Sequence, residues 1–104
     1  MSRWHPTLTV ERWAGFPFES RLVMVQNELS RARSSQAAGY YGGTRLALER
    51  ALELLDLTVE TCIREPGLRE LLRWRERIAK AYLFPEDPIP EDLVQGPSPA
   101  PRSG

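Results

Sequence analysis

The stretch TRLALERALELLDLTVETCIR, residues 44–64, places Ala47, Leu48, Ala51, Leu54, Leu55, Thr58 and Cys62 on one face at helical steps. A repeat of 3.6 residues brings these positions to one side of a helix, whereas a strand would scatter them over both faces. Glu49, Arg50, Glu53, Glu60 and Arg64 fall on the opposite face. A helix with so continuous an apolar stripe must bury it, and the rest of the chain must supply the elements that cover it.

Two further segments have the same character. Phe18, Leu22, Val25, Leu29 and Ala32 recur at steps of four and three, which predicts a first helix from about Phe18 to Ala38. Gly39 is a suitable stop, because glycine accepts the left-handed conformation that follows a helix. GYYGG (39–43) reads as the loop, and the Thr44 hydroxyl as the cap of the second helix, which ends near Arg64. Pro66 and Gly67 separate the second helix from a third, running from about Pro66 to Leu83 or Phe84 with Leu68, Leu71, Leu72, Ile78, Ala79 and Tyr82 as its apolar face. The three segments are each roughly 27–32 Å long as helices. Matched lengths and short connections predict an all-α fold, an antiparallel three-helix bundle over residues 18–84.

A chain of 104 residues makes one domain with a modest core. Ahead of the bundle, residues 1–17 read as an aromatic arm. Trp4, Trp13, Phe16 and Phe18 are too much aromatic surface to leave in water, so the arm is expected to pack on the helices or on a partner. Behind it, residues 85–104 form an acidic, proline-rich stretch expected to be flexible, with a short fourth helical turn at PEDLV (90–94) as its one candidate element and disorder from Gly96 onward.

The chemistry of many enzymes is missing. His5 is the sole histidine and Cys62 the sole cysteine, and Cys62 falls on an apolar helical face, as a small core residue would. No internal disulfide and no cysteine-based zinc site is available. The glycines of GYYGG lack the Lys-Ser/Thr that follows a phosphate-cradling loop. The paired carboxylates and Glu-x-x-His spacing of bundle metal sites are also missing. No catalytic residue, metal, cofactor or small-molecule substrate is therefore expected. MSRWHPTLTV lacks a long apolar run, and no stretch approaches the roughly 18 apolar residues of a membrane span, so a cytoplasmic protein is expected.

The charges carry more information than their balance of 14 basic and 14 acidic residues suggests. A net charge of zero argues against a general polyanion binder. Yet residues 64–80 hold six basic residues (64, 69, 73, 75, 77, 80) against three acidic ones (65, 70, 76). On a helical wheel Arg69, Arg73, Arg77 and Lys80 form one solvent-facing stripe opposite the leucines. That stripe is a candidate contact for nucleic-acid phosphates or a solvated face, and the acidic tail is a candidate to fold back over it. Arg75 falls instead in the apolar face. A buried arginine needs a partner, and folding the chain through its two connections brings Arg75 near the depth of Asp56, with Glu28 within about one turn. An ion pair from Arg75 to Glu28, Asp56 or both is expected. Leu46 and Leu57 break the polar face of the second helix, and Trp74 sits at the edge of the third. With Trp4 and Trp13 they are the interface candidates, since small bundles often complete their core by association.

ELSRA (28–32), ALERALELLDLTVE (47–60) and RELLRWRE (69–76) together resemble a family of small uncharacterised bacterial helical proteins, over about residues 18–84. The resemblance implies a helical bundle with structural roles for Glu28 and Arg75, and brings no activity. The architecture is also similar to small helical accessory proteins that bind RNA and to HEPN ribonucleases, but the Arg-x4–6-His motif of the latter is missing. The expected function is a non-catalytic protein–protein interaction or assembly module, self-association as a homodimer included. The alternative is an RNA- or DNA-binding accessory protein that uses Arg69, Arg73, Arg77 and Lys80.

Overall fold

The computed structural model describes Gly15, residues 17–61 and residues 67–97. The aromatic arm with Trp4 and Trp13, the stretch around Cys62 and the last seven residues lie outside them. Among the described residues the chain is all α-helical: α1 (Phe18–Ala37), α2 (Tyr41–Thr61), α3 (Leu68–Leu83) and the five-residue α4 (Glu91–Gln95). The three long helices pack together around one apolar core. No described helix is long and apolar enough to cross a membrane.

The connection from α1 to α2 is tighter than the sequence suggests. Gly39 ends α1 with φ +77°, as expected. GYYGG does not form a loop, however, because α2 already begins at Tyr41. Thr44 is not its cap. Thr44 is buried inside the first turn, and both its N–H and its hydroxyl donate to the Tyr40 carbonyl at 3.1 Å. Two glycines in a first turn are poor helix formers, but the Tyr40 ring lies over them. A Cβ on Gly43 would sit 2.7 Å from that ring and 3.0 Å from the Ser35 hydroxyl.

Helix α2 is the central element, with α1 packed on one side and α3 on the other. Its buried arc is accordingly wider than a single face. Ala47, Leu48, Ala51, Leu54, Leu55 and Thr58 are buried as expected, and Leu57 joins them at 1% exposure. Leu57 is therefore a core residue and not an interface candidate, and only Leu46, at 43%, remains on the surface. The apolar face of α3 is also rotated from the expected one. Leu71, Trp74 and Ile78 are buried, whereas Leu72 is 45% exposed.

The rotation of α3 follows from what lies between α1 and α3. These two helices meet chiefly through a third party, residues 84–96, which form an ordered strap where a flexible tail is expected. Ile89 and Leu93 are buried in the common core, and α4 touches both α1 and α3. Trp74, expected at a core edge or interface, is 2% exposed, and its indole N–H donates to the Leu93 carbonyl at 2.7 Å. Prolines 85, 88 and 90 keep the strap from forming a regular helix of its own before α4, so side chains of α1 satisfy part of its backbone. Gln36 donates its amide to the carbonyls of Pro85 (2.7 Å) and Asp87, and accepts from the Ile89 N–H at 2.8 Å. Arg33 donates to the Ile89 carbonyl at 3.0 Å, and Gln26 to that of Gln95. Gly96, with φ +112°, then passes between Gln26 and Trp74, where a Cβ would lie 3.0 Å from the Gln26 amide.

Leu93→Ala removes a buried leucine on which Trp74 rests. It is expected to lower unfolding free energy in urea by about 3 kcal/mol. A change below about 0.5 kcal/mol, the usual range for surface positions, would mean that the strap contributes nothing to the core.

Candidate interaction surface

Arg75 was expected to pair with Glu28, Asp56 or both, and the structure pairs it with Asp56. Arg75 lies on the α2-facing side of α3 and grips Asp56 of α2 through two bonds: Nε to Oδ1, and Nη2 to Oδ2 at 3.3 Å. Both side chains are nearly half exposed, so this is a surface clamp between helices and not a buried pair. The Asp56 hydrogen bond holds the Arg75 guanidinium above its ordinary value, against the opposing effect of partial burial. A raised guanidinium keeps its contribution at every pH below its unfolded value, so Arg75 stays charged wherever the chain is folded. Roughly two to three turns from this clamp, Arg45 of α2 lies 5.4 Å above the Tyr82 ring of α3 and adds a second polar link to the same seam.

Glu28 takes no part in the clamp. α1 and α3 are held apart by the strap, so no carboxylate of α1 faces Arg75. Glu28 is 6% exposed and its Oε1 accepts from Arg31 Nη1 at 3.2 Å, one turn along α1. Its Oε2 is buried without a hydrogen-bond partner among the described residues. Burial of half a carboxylate in this state is destabilising.

The four cations of the predicted stripe are all exposed on the outer side of α3. The strap reaches one of them, since Arg77 Nη2 contacts Asp92 Oδ2 at 3.1 Å. Arg69, Arg73 and Lys80 make no ion pair among the described residues. Beside Arg77 and Lys80 the strap and the end of α3 enclose a groove of ≈ 330 Å³. Its floor is apolar, made by Ala81, Phe84 and the buried Ile89 and Leu93, and Pro88 and Pro90 form its outer wall. Arg77, Lys80 and Asp87 stand at its rim. Phe84 is half exposed at the groove, and the neighbouring Leu83 is more exposed still.

Sequence reasoning found the stripe and missed the groove, because the groove exists only once the strap is docked. The signal was present in two places. Gln26, Arg33 and Gln36 stand at i, i+7 and i+10, a polar row beside an apolar face. Ile89 and Leu93 are an i, i+4 apolar pair inside a stretch rich in acids and prolines. Among the described residues no group of histidine, cysteine, aspartate or glutamate side chains could hold a metal ion. Comparison with family models, curated proteins and solved structures finds no match to this chain.

Two substitutions separate the clamp from the buried acid. Arg75→Met is expected to change unfolding free energy by no more than about 1 kcal/mol, as a half-exposed pair should. Glu28→Met frees Arg31, which is already mostly in water, and removes the unsatisfied oxygen. It is expected to raise the urea midpoint, by about 1 kcal/mol in free energy. A loss of stability on Glu28→Met would show that the carboxylate is needed where it stands.

Proposed function

We propose that this chain is a non-catalytic protein-interaction module, an antiparallel three-helix frame completed by a fourth short helix that presents a binding surface at α3. The observation that carries this reading is the contiguity of an apolar groove with a row of cations. Arg77 and Lys80 belong to both. Interfaces draw most of their affinity from an apolar anchor seated in a pocket, with charges at the rim that set specificity and on-rate. The groove offers that combination.

A second reading has its own observation. Arg69, Arg73 and Lys80 are exposed and without ion-pair partners among the described residues, as side chains that contact nucleic-acid phosphates would be. Self-association remains part of the first reading. Its remaining described candidate from the sequence is Leu46, since Leu57 and Trp74 are in the core. A cytoplasmic location and membership of a small bacterial helical-bundle family are further parts of the proposal, and the packing of Asp56 with Arg75 is in keeping with the structural role that the family resemblance implies for Arg75.

A photo-crosslinking residue introduced in place of Phe84, with a second variant carrying it at the distant exposed Glu60, tests the reading in host cells. A protein adduct at 84 and none at 60 is the expected outcome. Adducts to nucleic acid alone, formed also from position 73, would replace the first reading with the second.

A further inference from the structure

The chain carries its own example of what its groove and stripe accept. In the strap, Asp92 places a carboxylate on Arg77 at 3.1 Å while the next residue, Leu93, is buried against Trp74. Acid on the cation and leucine in the apolar floor is one unit of recognition, made here within the chain. Next to it the same surface offers a second unit of the same kind. Lys80 has no ion-pair partner among the described residues, and Phe84 beside it is half exposed.

Resting on the interaction-module reading, we propose that the groove takes a short acidic peptide segment of a protein partner. One large apolar side chain enters between Phe84, Pro88 and Leu93, and the flanking carboxylates lie on Lys80 and Arg77, where they compete with Asp92. Arg73, one turn back along α3, extends the cationic row for a longer acidic segment.

Three arguments favour this occupant. The first is charge: Lys80 at the rim has no ion-pair partner among the described residues, and Arg73 and Arg69, likewise without one, continue the row along α3, against Asp87 at the rim and Asp92 on Arg77. The second is size. A groove of ≈ 330 Å³ lies at the small end of the roughly 300–1,000 Å³ of ligand sites and suits one or two side chains, not a folded surface. The third is its lining. Proline walls and an aliphatic-aromatic floor have no donors to offer a phosphate backbone, so a nucleic acid would leave that apolar surface unused. An acidic segment with a leucine or phenylalanine uses both halves of the surface.

Asp92 gives the inference a test that misfolding cannot imitate. Asp92→Asn frees Arg77 from its internal partner, so the ligand is expected to bind about twofold to fivefold more tightly, the equivalent of one exposed ion pair. The experiment is fluorescence anisotropy on the full chain at low salt, with the fluorescein-labelled hexapeptide EDLFED as probe. Its companions are QNLFQN, without acids, EDSSED, without the apolar pair, and hexauridylate. Saturable binding of EDLFED is expected, weakened about tenfold by Lys80→Glu, lost with Phe84→Ser, tightened by Asp92→Asn, and weaker for both companion peptides. Circular dichroism checks that each variant is folded.

Equal binding of QNLFQN would remove the acid recognition and leave the protein-interaction reading standing. Equal binding of EDSSED would remove the groove from the site. Binding of hexauridylate with none of the peptides would overturn both the inference and the reading beneath it, and no binding of EDLFED overturns the inference outright. A doubled mass in light scattering that Lys80→Glu abolishes would assign the groove to a second copy of this chain and overturn the peptide proposal.

Discussion

The structure depends on how residues 84–96 are held between α1 and α3. α1 and α3 each lean on α2 but scarcely on each other. Without a filler, the inner flanks of both would face water, and Trp74 would be the largest apolar group left there. Ile89 and Leu93 supply the apolar contact, and the Trp74 N–H, Gln26, Arg33 and Gln36 satisfy the backbone of the strap. A proline-rich segment is well suited to this position. It loses less conformational entropy on ordering than most sequences, and each proline removes one N–H that a buried cleft would have to satisfy.

This arrangement also orders the polar groups. Where the strap lies, α1 presents neutral amides and one arginine to backbone carbonyls. Where α2 meets α3, the link is ionic and half exposed, with Arg75 on Asp56 and Arg45 over Tyr82. Glu28 belongs to neither seam, and its unsatisfied oxygen is a local weakness. The wide buried arc of α2 compensates. With Leu57 drawn into the core, α2 alone contributes seven of the buried apolar and threonine side chains that surround its middle: Leu48, Ala51, Leu54, Leu55, Leu57, Thr58 and Ala47.

The long helices were legible because their periodicity is a local property. Val25, Leu29 and Ala32, the face of α2, and Leu71 with Ile78 can be read from spacing alone, as can the stop at Gly39. The departures have one physical character: each depends on a contact distant in sequence. Tyr40 over Gly43 turns an apparent loop into the first turn of a helix. Trp74 stops being an edge residue when Leu93 arrives beneath it, nineteen residues later along the chain. The same contact turns α3 so that Leu72 is left exposed. Arg75 was assigned a partner correctly at Asp56 because α2 and α3 are neighbours in sequence and in space. The other partner offered, Glu28, is not used, because the strap intervenes. The stripe of Arg69, Arg73, Arg77 and Lys80 was legible for the reason the helices were, and the groove was not, for the reason the strap was not.

The neutrality of the whole chain conceals how its charge is distributed. The strap brings acids to the edge of a cationic helix, yet its geometry neutralises only one cation. The reason lies in the placement of the other acids. Asp87 is in the loop whose carbonyls Gln36 holds toward α1, and Glu91 opens α4, where a carboxylate is stabilised by the helix N-terminus. Asp92 alone is directed to α3 by the burial of Leu93 beside it. Core packing therefore decides which cation is neutralised, and Lys80 at the groove, with Arg73 and Arg69 farther back along α3, keeps a cationic field without ion pairs among the described residues. A field of that kind draws acidic segments toward the surface from a distance of roughly a Debye length, about 8 Å at physiological salt. The apolar floor then distinguishes those that carry a fitting side chain from those that carry charge alone.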